Sequence, residues 1–460
     1  MIVSIFFILL SVLCLRGLMS DFRGWWGVIL IGFTQDPVRK LISGEPVIMS
    51  VMVGLVVASI FLRQTVTAPS TLLDSFSKWS SQVNLAIFVF LVLVVFQGLH
   101  SLLRYGSVLL TGLGAVFYIA PLVAIVVSYA QFNRFEAVRH FMLVFSMLAL
   151  IVALSVIYSY FGGQSQLLGE VGSGLIIYDQ GTILKAYSGL MRSSEIASWH
   201  MGACVCFLVV LVIDRGSLPS FLIVVISVAL LVGAIILTGR RKMILQIVVF
   251  SCIYFPLLRY YQQRLSSRFF ALIVLGLVLF TGLYLAVLPG FQGTQYDLYL
   301  ARGVSVFGDA GERFTSLGLG SISWAIRDHG IFGGGLGVAA QGAQHLAVGG
   351  TGGSGEGGIG KLVSELGLIS LFIVAWMGIA IAKHLHKCMR LVATVVPEKL
   401  PFVVGILVFL LSNIPTFTVA SQVYGDVFVL VILGFLAGAL FAIPKHVVAR
   451  VEYFRFRASN

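Results

Sequence analysis

Three short stretches carry residue types and spacings that could do chemistry. The first is the turn at residues 238–242, TGRRK, set inside LLVGAIILTGRRKMILQIVVF, where two long apolar runs leave room only for a tight reversal. Arg240, Arg241 and Lys242 in such a turn form a ready phosphate-binding patch, because guanidinium groups hold phosphate oxygens bidentately and keep their charge when partly desolvated. The same three cations could instead snorkel to lipid headgroups, with Gly239 as a helix C-cap. The second stretch, GLMRSSEIASWHMGA at residues 189–203, puts Arg192 and Glu195 at the mouth of an apolar run and His200 inside it. Ser193 or Ser194 can cap that helix, and a glutamate in its first turn suits the helix dipole, so Glu195 has a capping role open to it as well as a functional one. An ionisable His200 within a membrane span points to function or to a hydrogen bond with a neighbouring helix.

The third stretch is the long polar interval at residues 290–360. Its titratable groups include Arg302, Arg313, Arg327, Asp328, His329 and His345. Glu356 stands among glycines in GGTGGSGEGGIG, just before Lys361. Backbone without side chains can approach a substrate closely, and a carboxylate there can serve as a base. Lys383, His384, His386 and Cys388 lack an acidic or further cysteine partner and read as a helix end rather than a metal site.

What must position these groups follows from composition. The 460 residues are 59% apolar and only 10% charged, with a mean hydropathy of +1.03, against a charged share of ~25% in ordinary soluble domains. Apolar runs are long enough to cross a bilayer as helices rather than as alternating barrel strands. They fall at about 2–15, 46–62, 83–99, 106–130, 138–160, 196–213, 218–238, 243–258, 269–289, 362–382, 401–418 and 423–443. The expectation is an all-α polytopic membrane protein of about twelve transmembrane helices, a single integral domain, with residues 290–360 as a large extracytoplasmic loop between the ninth and tenth. The net charge of +12 is no sign of nucleic acid, since most cations flank the spans as the positive-inside rule requires. By that rule Arg134, Arg139, Arg259, Arg264, Arg268, Lys383, Lys387 and Arg390 are cytoplasmic, as are both termini. The reading leaves Arg16, Arg23, Arg39 and Lys40 on the outer side, and takes WWGVILIGF, residues 25–33, as an interfacial segment too short to span. The five cysteines read as packing residues.

These motifs resemble those of the O-antigen ligase and O-antigen polymerase superfamily of bacterial membrane glycosyltransferases, over roughly residues 192–367. Thr238 and Gly239 match the family's Thr-Gly-Ser-Arg turn, with Arg240 in place of the serine and Arg241 at the arginine. Trp324 followed by IFGGGLG, with Gly333, Gly335 and Gly337, matches a Trp and Gly-x-Gly signature. Glu365 and Gly367 match a Glu-x-Gly element that begins a span. Nine residues before that glutamate the family carries His-Asn, and this chain carries Glu356 and Gly357. The family's arginine shortly before the Trp is replaced by Gly320 and small neighbours, which leaves Arg313 or Arg327 to substitute.

The resemblance implies metal-independent glycosyl transfer, without cofactor, on the periplasmic face of the bacterial inner membrane. The donor would be an undecaprenyl-pyrophosphate-linked oligosaccharide, with Arg192, Arg240 and Arg241 neutralising its phosphates and Glu356 as base toward the acceptor hydroxyl. Lys242, Glu195, His200, Arg313 and Arg327 are the further substrate-binding candidates. An acceptor glycan or glycolipid and the lipid bilayer are the implied partners, and other polysaccharide assembly proteins are further candidates. Loss of the histidine tilts the reading to a polymerase of O-antigen or exopolysaccharide units over a ligase acting on lipid A-core. A transporter or flippase would show broken helices and two similar halves, and a purely structural export subunit would leave the arginines without a purpose.

Overall fold

The computed structural model describes all residues except 20–23, 43, 45, 68–79, 133, 170, 172–175, 180–181, 216–217, 262–294, 341–356 and 449–460. The described chain is a helical bundle: α1 (Ile2–Met19), α2 (Trp25–Lys40), α3 (Met52–Thr67), α4 (Ser81–Tyr105), α5 (Val108–Gln131), α6 (Phe135–Tyr160), α7 (Ser194–Arg215), α8 (Leu218–Leu237), α9 (Lys242–Tyr261), α10 (Gln295–Arg313), α11 (Gly320–His329), α12 (Gly358–Leu366), α13 (Ile369–Val395), α14 (Leu400–Val419) and α15 (Val427–Phe441). One short antiparallel hairpin, β1 (Ile176–Asp179) with β2 (Thr182–Lys185), interrupts it between α6 and α7. Nine of the described helices are long and apolar enough to cross a membrane, and two shorter apolar helices cover Phe221–Leu237 and Val427–Phe441. The chain is thus an all-α, multi-pass membrane protein; the span expected at 269–289 lies outside the described residues.

In a bilayer the solvent is as apolar as the side chains, so helices associate through close packing and interhelical hydrogen bonds. Both are present. Gly434 and Gly438 let α15 lie directly against the Pro121 and Ile125 carbonyls of α5. The Trp199 indole donates to Asn413 Oδ1 at 2.8 Å, and the Tyr424 hydroxyl reaches the same oxygen at 3.0 Å, tying α7, α14 and the start of α15 together.

Side-chain contacts give the helices their directions. Gly24, before α2, lies against Ile60 of α3 and Gln131 of α5. His446, past α15, meets the Phe132 carbonyl. These mark a basal end. At the opposite, upper end Arg192 pairs with Asp36 of α2 and with Asp426, the N-cap of α15.

Two expectations are corrected here. Residues 25–33 do not lie in an interface: they are the first half of α2, with Val28, Ile29 and Ile31 fully buried and Phe33 packed on Phe145 and Phe428. Its polar second half, TQDPVRK, hides it from a search for apolar windows. The extra pass also moves the N-terminus. Gly17, near the end of α1, sits against Ser59 and Ile60 at the basal end, so residue 2 is toward the upper end, ~23 Å away at 1.5 Å per residue. The first described helix therefore begins at the end of the bundle opposite the one at which α15 finishes. Arg16 accordingly joins Arg134 and Arg139 at the basal end.

The described parts of the 290–360 interval are helical too. α10 runs into a six-residue π-helical turn, Phe314–Leu319, and then α11. Residues 331–340 form a glycine-rich turn that meets the bundle: Gly333, Gly335 and Gly337 have φ of +80°, +95° and +90°, and a side chain at Gly335 would strike the Ser101 backbone at 2.8 Å. α12 follows, packed against α11 and the π-helical turn.

Candidate functional site

The TGRRK turn is built by local rules. α8 ends at Leu237, Gly239 takes the left-handed φ of +67° that closes a helix, and Thr238 Oγ1 accepts from the Arg240 amide at 3.2 Å. The reversal is tight enough that α9 starts at Lys242, which sends three consecutive cations to the upper end of the bundle. α10 crosses above them, with Arg302 Nε donating to the Gly239 carbonyl at 3.0 Å and Arg241 Nη1 donating to Ser305 Oγ.

Between this turn, the mouth of α7, the end of α10 and the end of α14 lies a cavity of about 230 Å³. Its polar wall carries Arg240, Arg241, Lys242, Arg302 and Arg313, and Glu195 is the one carboxylate among the lining residues. Five cations against one anion leave a formal excess of +4. Leu245, Leu317, Pro415, Val419 and Ala420 complete an apolar wall.

Glu195 is the hub of the polar wall. Its Oε1 accepts from Arg240 Nη1 at 3.1 Å and from Lys242 Nζ at 3.3 Å. The Gln422 amide, with its nitrogen turned to the carboxylate, lies 3.1 Å from Oε2. Arg240 Nε adds a bond to Ser194 Oγ at 2.8 Å. Ser193 caps α7, its Oγ accepting from the Ile196 amide at 3.3 Å, and Glu195 stands in the first helical turn as expected. A cavity of this make-up can hold a phosphate-bearing group at its cationic wall, in a partly dehydrated setting where charge-assisted hydrogen bonds are strongest.

Three residues singled out from sequence are not on the cavity. Arg192 is committed to two buried carboxylates. Its Nη1 lies 2.5 Å from Asp426 Oδ2 and 3.5 Å from Asp36 Oδ1, and its backbone N–H donates to Asp36 Oδ2 at 3.1 Å. Burial works against the charged guanidinium, yet the two carboxylates more than offset it and hold its pKa above the usual value. His200 is fully buried in an aromatic box, stacked between Phe145 and Phe428 at ring separations of 5.6 and 5.2 Å, with Nδ1 at 2.8 Å from the Ile196 carbonyl. Arg327 is exposed on α11, away from the lining residues. Of Arg313 and Arg327, Arg313 is the one at the cavity.

Glu356 and His345 fall outside the described residues. Gly357, the next residue after Glu356, is the N-cap of α12, and a Cβ there would overlap the carbonyl oxygen of Leu317, a cavity residue, and sit 3.1 Å from that of Thr418. Downstream, Glu365 is wholly buried. Tyr118 donates to its Oε2 at 2.5 Å and the Ala339 amide to its Oε1 at 3.2 Å, while Lys361 lies over the Phe117 ring at 4.4 Å. Glu365, in the last turn of α12, therefore ties the glycine-rich turn to α5. Asp36, Asp426 and Gln422 escaped the sequence reading. The only signal was an isolated acid in or beside an apolar run, which looks the same whether or not an arginine waits across the fold. No family model and no curated protein matches this chain.

Proposed function

We propose that this protein is a glycosyltransferase of the bacterial inner membrane, of about twelve spans, that polymerises O-antigen or exopolysaccharide repeat units at the periplasmic face. The observation that carries the reading is the cavity at the upper end, whose described lining holds five cations, one carboxylate and a set of apolar side chains. That pairing suits an amphiphile with a pyrophosphate, such as a glycan on undecaprenyl pyrophosphate.

The charge balance supports placing this end outside. The rule counts Lys and Arg in short connections; leaving out Arg302, Arg313 and Arg327 of the long 290–360 interval, the described residues place eleven Lys or Arg at the basal end and nine at the upper end. The excess of positive charge thus sits at the basal end, which the positive-inside rule assigns to the cytoplasm. The C-terminal helix ends there, and the N-terminus is then periplasmic.

In the reaction we infer, an acceptor sugar hydroxyl attacks the anomeric carbon of the donor and the bond to the lipid pyrophosphate breaks. Charge develops on the leaving phosphate, and positioned cations there are worth on the order of 3 kcal/mol each. Arg241, held by Ser305, and Arg240, held by Glu195 and Ser194, have the planar donor geometry for it. Glu356, which precedes Gly357 in sequence and lies outside the described residues, is our base for the acceptor hydroxyl.

A strain lacking the protein, complemented with the parent or with Arg241→Ala, tests the reading through its surface glycan and lipid-linked intermediates. Single repeat units on the surface of the deletion and Arg241→Ala strains are expected. Long chains accumulating on the lipid carrier would show a ligase instead, and unchanged glycan in both strains would overturn the assignment.

A further inference from the structure

A second basic cavity lies at the basal end, far from the first. It is about 430 Å³ and opens between the N-terminus of α4 and the later turns of α13, with Ser80, Gln82, Lys383, His384, His386 and Lys387 on its walls. We propose that this groove binds a phosphate-bearing anion, the headgroup of an anionic phospholipid. The inference does not depend on the proposed activity of the upper cavity.

Its chemistry is one-sided. Among the described residues every polar one on the wall can donate a hydrogen bond, and none is a carboxylate. Lys383 and Lys387 are four residues apart and so share one helix face, where like charges repel. Both are exposed, so their ammonium groups can swing onto a ligand. The histidines are held in place by contrast: His386 Nδ1 is hydrogen-bonded to the Tyr261 hydroxyl at 2.7 Å, and His384 is stacked on Phe441 with rings 5.2 Å apart. A fixed imidazole floor with two mobile ammonium arms can close around a phosphate from three sides. The first turn of α4 adds to this, because the Ser80 side chain makes no capping hydrogen bond to it and unpaired helix-start amides attract anions.

The depth of the groove selects the source of the phosphate. Lys383 and Lys387 lie ~21 and ~27 Å along α13 from its first residue, close to where a hydrocarbon slab of ~30 Å gives way to headgroups. Basic pockets between transmembrane helices at that level are suited to anionic headgroups. A lipid there would add to the direct packing of α4 against α13, where Val83 and Ile87 cluster with Ala380.

The test uses the full-length protein in detergent, with thermal unfolding followed on adding phosphatidylglycerol, phosphatidylcholine of the same acyl chains, or inorganic phosphate. Phosphatidylglycerol is expected to raise the unfolding midpoint and phosphatidylcholine to leave it. In the Lys383→Gln, Lys387→Gln double variant the apparent affinity for phosphatidylglycerol should fall about thirty-fold at low salt, and about five-fold in each single variant, from the attraction typical of one cation to an anionic lipid. The single variants keep the question open to measurement if the double variant does not fold. Arg390→Gln, on the same helix but off the groove, should respond as the parent does. A phosphatidylglycerol response that survives in both single variants, or that Arg390→Gln lowers equally, overturns the site. Inorganic phosphate matching phosphatidylglycerol would keep the anion site and overturn the lipid as its ligand.

Discussion

Arg192 separates a structural from a chemical role most sharply. Sequence groups it with the phosphate-binding arginines, whereas the fold surrounds its guanidinium with Asp36 and Asp426, whose side chains are 3% and 1% exposed. Arg192→Gln leaves both carboxylates buried without a cation, and breaking a buried ion pair in this way costs ~3 to 5 kcal/mol. Folded proteins commonly have only ~5 to 15 kcal/mol in hand, so the single variant should be scarce and heat-labile. Neutralising all three positions removes the cause. In the triple variant Arg192→Gln, Asp36→Asn, Asp426→Asn, the new amide oxygen at position 426 still accepts from the Val429 amide that Asp426 Oδ1 now caps at 3.0 Å. The amide introduced at position 36 likewise still offers an oxygen to the residue 192 N–H. The expected outcome is a triple variant with near-parent yield and midpoint whose transfer activity per folded molecule is within a few-fold of the parent. The assay is glycan transfer to acceptor, normalised to the monodisperse fraction on size-exclusion chromatography. A triple variant that folds as well as the parent but loses transfer by ~10²-fold or more, the scale on which a transition-state contact is lost, would refute the reasoning, because it would show that the arginine itself meets the substrate.

Other outcomes follow from the same geometry. Arg241→Lys should recover little of the activity lost in Arg241→Ala, since one ammonium cannot reproduce a two-pronged contact; full activity with lysine, measured as transfer rate, would show that charge alone suffices. Glu356→Gln should lower turnover by roughly 10² to 10⁴-fold with donor binding kept, the range for losing a positioned base, and parent-rate turnover would exclude it as the base. Gly357→Ala forces a methyl group onto the Leu317 carbonyl, so it should reduce transfer while leaving the bundle's thermal midpoint nearly unchanged; a parent-like rate would mean that the start of α12 can shift freely. Cysteines replacing Ser4 and Lys445 should label from opposite faces of the membrane with an impermeant thiol reagent, and labelling from the same face would restore a topology with both termini on one side.

The long apolar runs are legible because a span is written in consecutive residues, and the described helices fall where those runs do. α2 is not, since Thr34, Gln35, Asp36 and Arg39 make its second half polar and only neighbouring helices make that tolerable. One missed pass then inverts the N-terminus and leaves Arg16 apparently misplaced. The TGRRK turn is legible for the opposite reason: three cations in a reversal too short for anything else must emerge together. Arg302 and Arg313 reach the same cavity from elsewhere in the chain, and nothing local tells Arg313 from Arg327. The partners of Arg192 and the Tyr118 partner of Glu365 lie far off in sequence, the last two 247 positions apart. Such pairings are products of the fold, and each half of one reads as an ordinary polar residue.

The glycine-rich turn at residues 331–340 has a consequence for engineering. Gly335 presses on the Ser101 backbone, Gly337 on the Leu110 carbonyl, and Gly333 on the backbone around Gly367, while Ser101 Oγ donates to the Leu336 carbonyl at 2.7 Å and Gln97 Nε2 to that of Phe332 at 2.7 Å. The upper-end interval is therefore keyed to the corner between α4 and α5, as a lid is cut to one box. Grafting residues 290–360 alone onto another bundle would bring the teeth without the slot. An exchange of this interval should carry residues 97–114 and 363–367 along with it, and a chimera lacking them should lose yield.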